Sequence, residues 1–155
     1  MLRDAIKQAL VTAMKAKDEK ATGTLRMVQA AIKNKDIELR TGTAPEPGSP
    51  AEDAMIADVL QKMIKQRRES VALYEQGNRP ELADAERAEI AVIEQFLPKQ
   101  MDETAATDAI KALVAELGAS SVKDMGKVMA ALKARYAGQM DMSTANALVK
   151  AALAG

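Results

Sequence analysis

The run Gly118-Ala119-Ser120-Ser121-Val122-Lys123 places two serines beside a lysine. Those residue types can hydrolyse an amide when the serine is activated by a neighbouring base. Such a centre also needs a glycine-rich nucleophile loop on a large scaffold, which this run lacks. The same residues read more simply as a glycine that stops one helix and a serine that starts the next. Carboxylates occur close together at Asp102 with Glu103 and at Glu86 with Glu89. The first pair suits a helix N-terminus, where the macrodipole favours negative charge. The second belongs to a solvated helix face. Neither has companion ligands that would make a metal site. His and Cys are absent, which removes the usual general base, the thiol nucleophile and the commonest metal ligand. There is also no phosphate-cradling glycine loop. The residues therefore predict no catalytic group, no metal and no cofactor.

Positive charge is the chemistry that remains. Lys62, Lys65, Arg67 and Arg68 follow one another with no acidic residue between them. On a helix Lys62, Lys65 and Glu69 share a face, so part of that charge is expected to be paired. Lys123, Lys127, Lys133 and Arg135 form a second cluster opposed only by Asp124. Lys123 and Lys127 stand one helical turn apart, close enough for both to reach a phosphate. The chain as a whole is neutral, with 22 basic and 22 acidic side chains. Overall charge thus predicts no attraction to nucleic acid, and only local patches can bind phosphate. The opening 40 residues lean positive and residues 41–97 lean negative.

These clusters must be carried by helices. Apolar residues recur at intervals of three and four throughout, and no stretch alternates in the manner of a strand. Leu2, Ile6, Leu10, Ala13 and Met14 predict a helix over residues 2–17. Gly23 is placed in the break, and Leu25, Val28, Ala31, Ile32 and Leu39 predict a second helix over 24–40. Three of the five prolines fall in residues 41–50, an exposed linker. Ser49, Pro50 and Glu52 have the spacing of a capping box with proline in the first turn. A third helix follows to Gln76, closed by Gly77 in the left-handed conformation. The fourth runs from Pro80 to Leu97, with Leu82, Ala85, Ile90, Ile93 and Leu97 inward. Asp102, Ser121 and Ser143 are the expected caps of three more helices, with Val122, Met125, Met129 and Leu132 on the stripe of the sixth. Aromatic residues are only 2% of the chain, so aliphatic side chains and the ten methionines must fill the core. The architecture expected is all-α in two units: residues 1–97, a bundle of about four helices, and residues 98–155, a three-helix unit. No apolar run is long enough to span a bilayer, and residues 1–20 interleave charge with apolar residues. No membrane partner and a cytoplasmic location are the expectations that follow.

Three segments resemble the YqeY family, also called GatB/YqeY-like proteins: TLRMVQAAIKNKDIE at 24–38, RRESVALYEQGNRPEL with AEIAVIEQFLPKQM within 67–101, and KDMGKVMAALKARYAGQMD at 123–141. The resemblance runs over nearly the whole chain in order. It implies a two-part helical protein similar to the C-terminal tail of GatB, a subunit of the tRNA-dependent amidotransferase. That tail helps to hold tRNA while the chemistry proceeds elsewhere. It therefore implies a helical adaptor whose partner is tRNA or a tRNA-handling protein. It also admits an alternative, a component of glutamine-dependent amidotransfer (a carbon–nitrogen ligase with glutamine as amido donor), and a second alternative, a protein-interaction module without RNA. Gly126, Val128 and Met129 match the small-x-Val-Met pattern of the tail, and Gly138 matches the glycine of the next turn. Ala130 departs from the glycine expected there, and the linker is longer than the family's. A glycine inside a helix costs about 1 kcal/mol relative to alanine, so Gly126 is expected to allow a close helix approach. The expected nucleic-acid surface is Lys123, Gly126, Lys127, Lys133, Arg135 and Gly138, with Lys62, Lys65, Arg67 and Arg68 as a secondary cluster.

Overall fold

The computed structural model describes residues 1–136 and 138–154. Among them are seven α-helices, two short 3-10 turns and no strand. The helices are α1 (Leu2–Lys15), α2 (Glu19–Glu38), α3 (Pro50–Gln76), α4 (Pro80–Glu94), α5 (Glu103–Leu117), α6 (Met125–Arg135) and α7 (Met142–Ala154). The chain divides into two units, Met1–Pro98 and Lys99–Gly155.

The first unit packs α1 to α4 around Ile6, Val28, Ile32, Ile56, Leu60, Ile64 and Ile93, all buried. The turn between α1 and α2 is made differently from the sequence expectation. Lys17 takes the positive φ of 57°, and Asp18 caps α2 by accepting from the Ala21 N–H at 3.1 Å. The helix therefore starts five residues earlier than its apolar stripe suggests. Gly23 lies inside it, and a Cβ there would meet nothing within 4 Å. At the end of α3 the left-handed residue is Asn78, with φ 55°. Gly77 has φ −82°, so the expected left-handed glycine is displaced by one position. The Arg79 N–H donates to the Tyr74 carbonyl at 2.7 Å and closes the helix end, as asparagine permits when its short side chain tolerates this conformation.

The start of α3 is tied to α1. Ser49 Oγ accepts from the Glu52 N–H at 3.1 Å, while the Glu52 carboxylate reaches the Gly48 N–H at 2.6 Å instead of the Ser49 N–H. Its other oxygen accepts from Arg3 Nε at 2.7 Å. Arg3 also forks onto Asp36 of α2 with two hydrogen bonds of 3.0 Å. One guanidinium thus joins α1, α2 and α3. Asp36 first, and Glu52 with it, hold the Arg3 pKa above its ordinary value. Burial of Glu52 to 5% exposure is tolerated because both its oxygens are bonded.

The second unit packs α5, α6 and α7 around Ile110, Leu113, Val128, Leu132, Ala145 and Val149. Asp102 caps α5 through the Ala105 N–H at 2.7 Å. Gly118 ends the helix at φ 64°, a conformation glycine adopts without a Cβ penalty. Asp141 caps α7, accepting from the Thr144 N–H at 3.0 Å. The expected cap, Ser143, instead donates its hydroxyl to the same carboxylate. A charged acceptor displaces a hydroxyl because charge-assisted bonds to backbone N–H groups are the stronger ones. The methionines also depart from expectation. Met63 and Met140 are buried, but Met14 and Met27 are 51% and 41% exposed. Val122 and Ala85 are likewise exposed, the former because it sits in a 3-10 turn ahead of α6.

Candidate nucleic-acid interface

The sixth helix begins in a tight turn. Asp124 Oδ2 accepts from the Ser120 and Ser121 N–H groups at 3.0 and 3.4 Å. These bonds hold the Asp124 pKa below its ordinary value, with Lys127 adding a smaller attraction. Ser120 and Ser121 are thus the entry to a helix, with their backbone amides committed to Asp124. They have the local structure that capping accounts for and no base pairing them as a nucleophile centre.

From this turn, α6 presents one face to the core and the other to solvent. Val128 and Leu132 are fully buried. Gly126, Lys127, Ala130, Lys133 and Ala134 are exposed. At 3.6 residues per turn, Gly126, Ala130 and Ala134 follow one helical row, with Lys133 on one side of it and Lys127 on the other. Lys123, in the preceding turn, is also exposed. The result is a low strip of backbone and methyl groups edged by lysines. Lys123 and Lys133 have no ionic or hydrogen-bonded partner among the described residues.

Two residues of the expected surface are placed otherwise. Arg135 extends to α5, where it grips Glu116 with two hydrogen bonds of 2.6 Å. That fork raises the Arg135 pKa and lowers that of Glu116, and it leaves little of this guanidinium for a ligand. Gly138 has φ 76°, and its carbonyl accepts from Gln100 Nε2 at 2.6 Å. Its part is to turn the chain between α6 and α7. Gly126 is a different case. A Cβ there would meet nothing within 4 Å, so among the described residues the expected close helix approach is not made, and the glycine is exposed.

The secondary cluster is spent on the fold. Arg67 Nε donates to Glu89 of α4 at 2.8 Å and Arg67 Nη1 to the Met63 carbonyl at 3.1 Å. Arg68 reaches Glu94 at 3.0 Å. Lys62 pairs with Asp58 at 3.5 Å, one turn before it. Lys65 is half-buried and engaged as well. The acidic α4 that follows in sequence is what neutralises the two arginines of this cluster, and run-by-run reading of charge misses it.

An open groove of about 780 Å³ lies between α2 and α4, with Gly23, Met27 and Ala88 among the residues lining it. Four of its five carboxylates are already occupied: Asp18 caps α2, Glu81 is held by Arg79, Asp84 by Arg87 and Glu89 by Arg67, with Glu19 the fifth. Among the described residues no group of three potential ligands gathers to hold a metal ion.

The Yqey-like protein family profile matches residues 3–153, and the chain belongs to that family. The curated relatives it matches include the protein named "Altered inheritance of mitochondria protein 41, mitochondrial" in three fungi. The Kluyveromyces lactis protein is 34% identical over 92 residues, covering 59% of this chain and 46% of the relative. The Eremothecium gossypii protein is 33% identical with the same coverage. The Meyerozyma guilliermondii protein is 35% identical over 94 residues, covering 61% and 45%. The chain therefore spans a little under half the length of these relatives. Their names overturn the expectation of a cytoplasmic location. That expectation came from the lack of a visible signal and of a spanning run. No helix among the described residues is long and apolar enough to cross a membrane, but that property does not distinguish one aqueous compartment from another.

Proposed function

We propose that this protein is a helical adaptor that engages tRNA, or RNA of similar form, through the solvent face of α6. The observation that carries the reading is the strip at Gly126, Ala130 and Ala134, edged by Lys123, Lys127 and Lys133 and exposed along its length. Small residues let a phosphate backbone come close, and the lysines supply countercharge without reading bases. The resemblance of this segment to the GatB tail supports the same reading. Contacts of this kind release counterions, so binding weakens steeply as salt rises.

The test is tRNA binding by the full chain, followed across salt concentrations. Replacing Lys123 and Lys127 by Glu is expected to lower affinity at least about tenfold for every tRNA tried. The fold should be retained, since both side chains lie in solvent. Unchanged affinity in that variant removes α6 as the contact. The chain alone is expected neither to hydrolyse glutamine nor to amidate charged tRNA, because its sequence has no Cys or His and offers no recognisable nucleophile–base constellation. Turnover that persists after contaminating amidotransferase is removed would favour the alternative, a direct part in amidotransfer.

A further inference from the structure

We infer that the solvent face of α1 and α2 is a second phosphate-binding surface, one shaped for double-stranded RNA. The inference rests on the reading of this protein as RNA-associated but uses a different unit of the chain. On α2 and the 3-10 turn after it, Arg26, Lys33 and Arg40 are spaced by seven residues and all are exposed. Seven residues are nearly two helical turns, so the three cations form a row with a repeat of about 10 Å. On α1, Lys7 and Lys15 are exposed as well. The Arg3–Asp36 ion pair shows which flanks of the two helices meet. Proceeding from that contact towards solvent leads to Lys7 and Lys15 on one helix and to the α2 row on the other.

None of these five cations has an ionic or hydrogen-bonded partner among the described residues. This separates them from the α3 cluster, whose arginines are paired with α4 and whose Lys62 is paired within α3. Asp4 on α1 and Glu19, seven residues before Arg26 on α2, are the carboxylates on this side, so five cations against two carboxylates keep the face positive although the chain is neutral. Two packed helices lie roughly 8–10 Å apart axis to axis, so the cations of α1 and those of α2 stand side by side on neighbouring helices. Two lines of cations this close suit the phosphates that face each other across the narrow major groove of A-form RNA. A single strand is the poorer fit. It is usually held by aromatic side chains on which bases stack, and residues 1–40 contain no aromatic residue. A protein partner is the competing occupant, because Val11, Met14 and Ile37 are 45%, 51% and 48% exposed near these cations.

The experiment measures binding of the full chain to a duplex RNA of about 16 base pairs and to a single strand of the same length, over a salt series. Three variants are compared with the parent: Arg26→Gln with Lys33→Gln and Arg40→Gln; Val11→Ser with Met14→Ser and Ile37→Ser; and Lys123→Glu with Lys127→Glu. The first should lower duplex affinity about tenfold or more. It should also flatten the logarithmic salt dependence by about 2 to 3, since each lost phosphate contact removes roughly 0.7–0.9. The second should leave RNA affinity within about twofold, as phosphate contacts do not use those side chains. An unchanged salt slope in the first variant, with loss in the third, overturns the inference and leaves α6 as the contact. Loss in the first with none in the third supports the inference and removes α6. Equal loss from the apolar variant, or tighter binding of the single strand, overturns it. No duplex binding by the parent at low salt overturns the inference, while the α6 reading stands or falls with the tRNA titration.

Discussion

The α3 cluster and the α6 cluster look alike in sequence, each with four basic residues within a few turns. In the folded chain they have opposite fates. Arg67 and Arg68 are taken by Glu89 and Glu94 across the α3–α4 contact, whereas Lys123 and Lys133 remain unengaged in solvent. The difference is not in the basic residues. It comes from the acidic residues of the neighbouring helix: α4 brings carboxylates to the arginines of α3, while α5 brings Glu116 to Arg135. A run of lysine and arginine is therefore a binding candidate only after the neighbouring helix has been counted.

The largest effect that would sharpen this comparison is on stability. Arg67 is 13% exposed in its side chain and bonds both Glu89 and a backbone carbonyl. Arg67→Ala should destabilise the first unit by about 2 kcal/mol, because the half-buried Glu89 loses its partner. Chemical denaturation reads this directly, and a loss below about 0.5 kcal/mol would place Arg67 with ordinary surface charges. The same variant should bind RNA as the parent does.

Charge reversal comes next. Lys62→Glu with Lys65→Glu is the counterpart of the α6 swap. It should cost far less RNA affinity than Lys123→Glu with Lys127→Glu in the same titration. Equal losses would mean that diffuse attraction, and not a particular helix face, holds the RNA.

Glycine offers a smaller and opposite effect. Gly23 sits inside α2 with open space where a Cβ would stand, so Gly23→Ala should stabilise by about 0.5–1 kcal/mol. Gly126→Ala should also stabilise, by less, as it lies in the first turn of α6. If backbone approach matters at α6, the second change weakens tRNA binding and the first does not. Thermal melts beside the binding assay separate the two outcomes.

The smallest effect expected is with acid. Asp124 and Glu116 both have depressed pKa values in the folded chain, through the Ser120 and Ser121 N–H groups and through Arg135 respectively. A carboxylate whose folded pKa is lowered contributes stability above its unfolded value and loses it as pH falls through the folded one. The second unit should therefore weaken below about pH 4, and Asp124→Asn should flatten that part of the melting-temperature profile. A profile identical to the parent's would mean the turn does not depend on the ionised carboxylate.

Much of the fold was legible without coordinates. Helical periodicity, the proline at the head of α3 and Gly118 at the foot of α5 are local signals, and local backbone physics acts on them wherever the chain goes. Misreadings occurred where a second residue competed for the same task. Asp18 and Lys17 made the first turn that Gly23 was expected to mark, Asn78 took the conformation assigned to Gly77, and Asp141 took the cap assigned to Ser143. The lysine strip on α6 was visible as charge and spacing. Its exposure, and the occupation of Arg135 and the α3 cations, depended on pairings between different helices. The sequence by itself determined where helices form, because capping and periodicity act within a few residues. Only tertiary structure decided which charges remain free, because an ion pair between α3 and α4 depends on how two helices pack and on no short-range pattern.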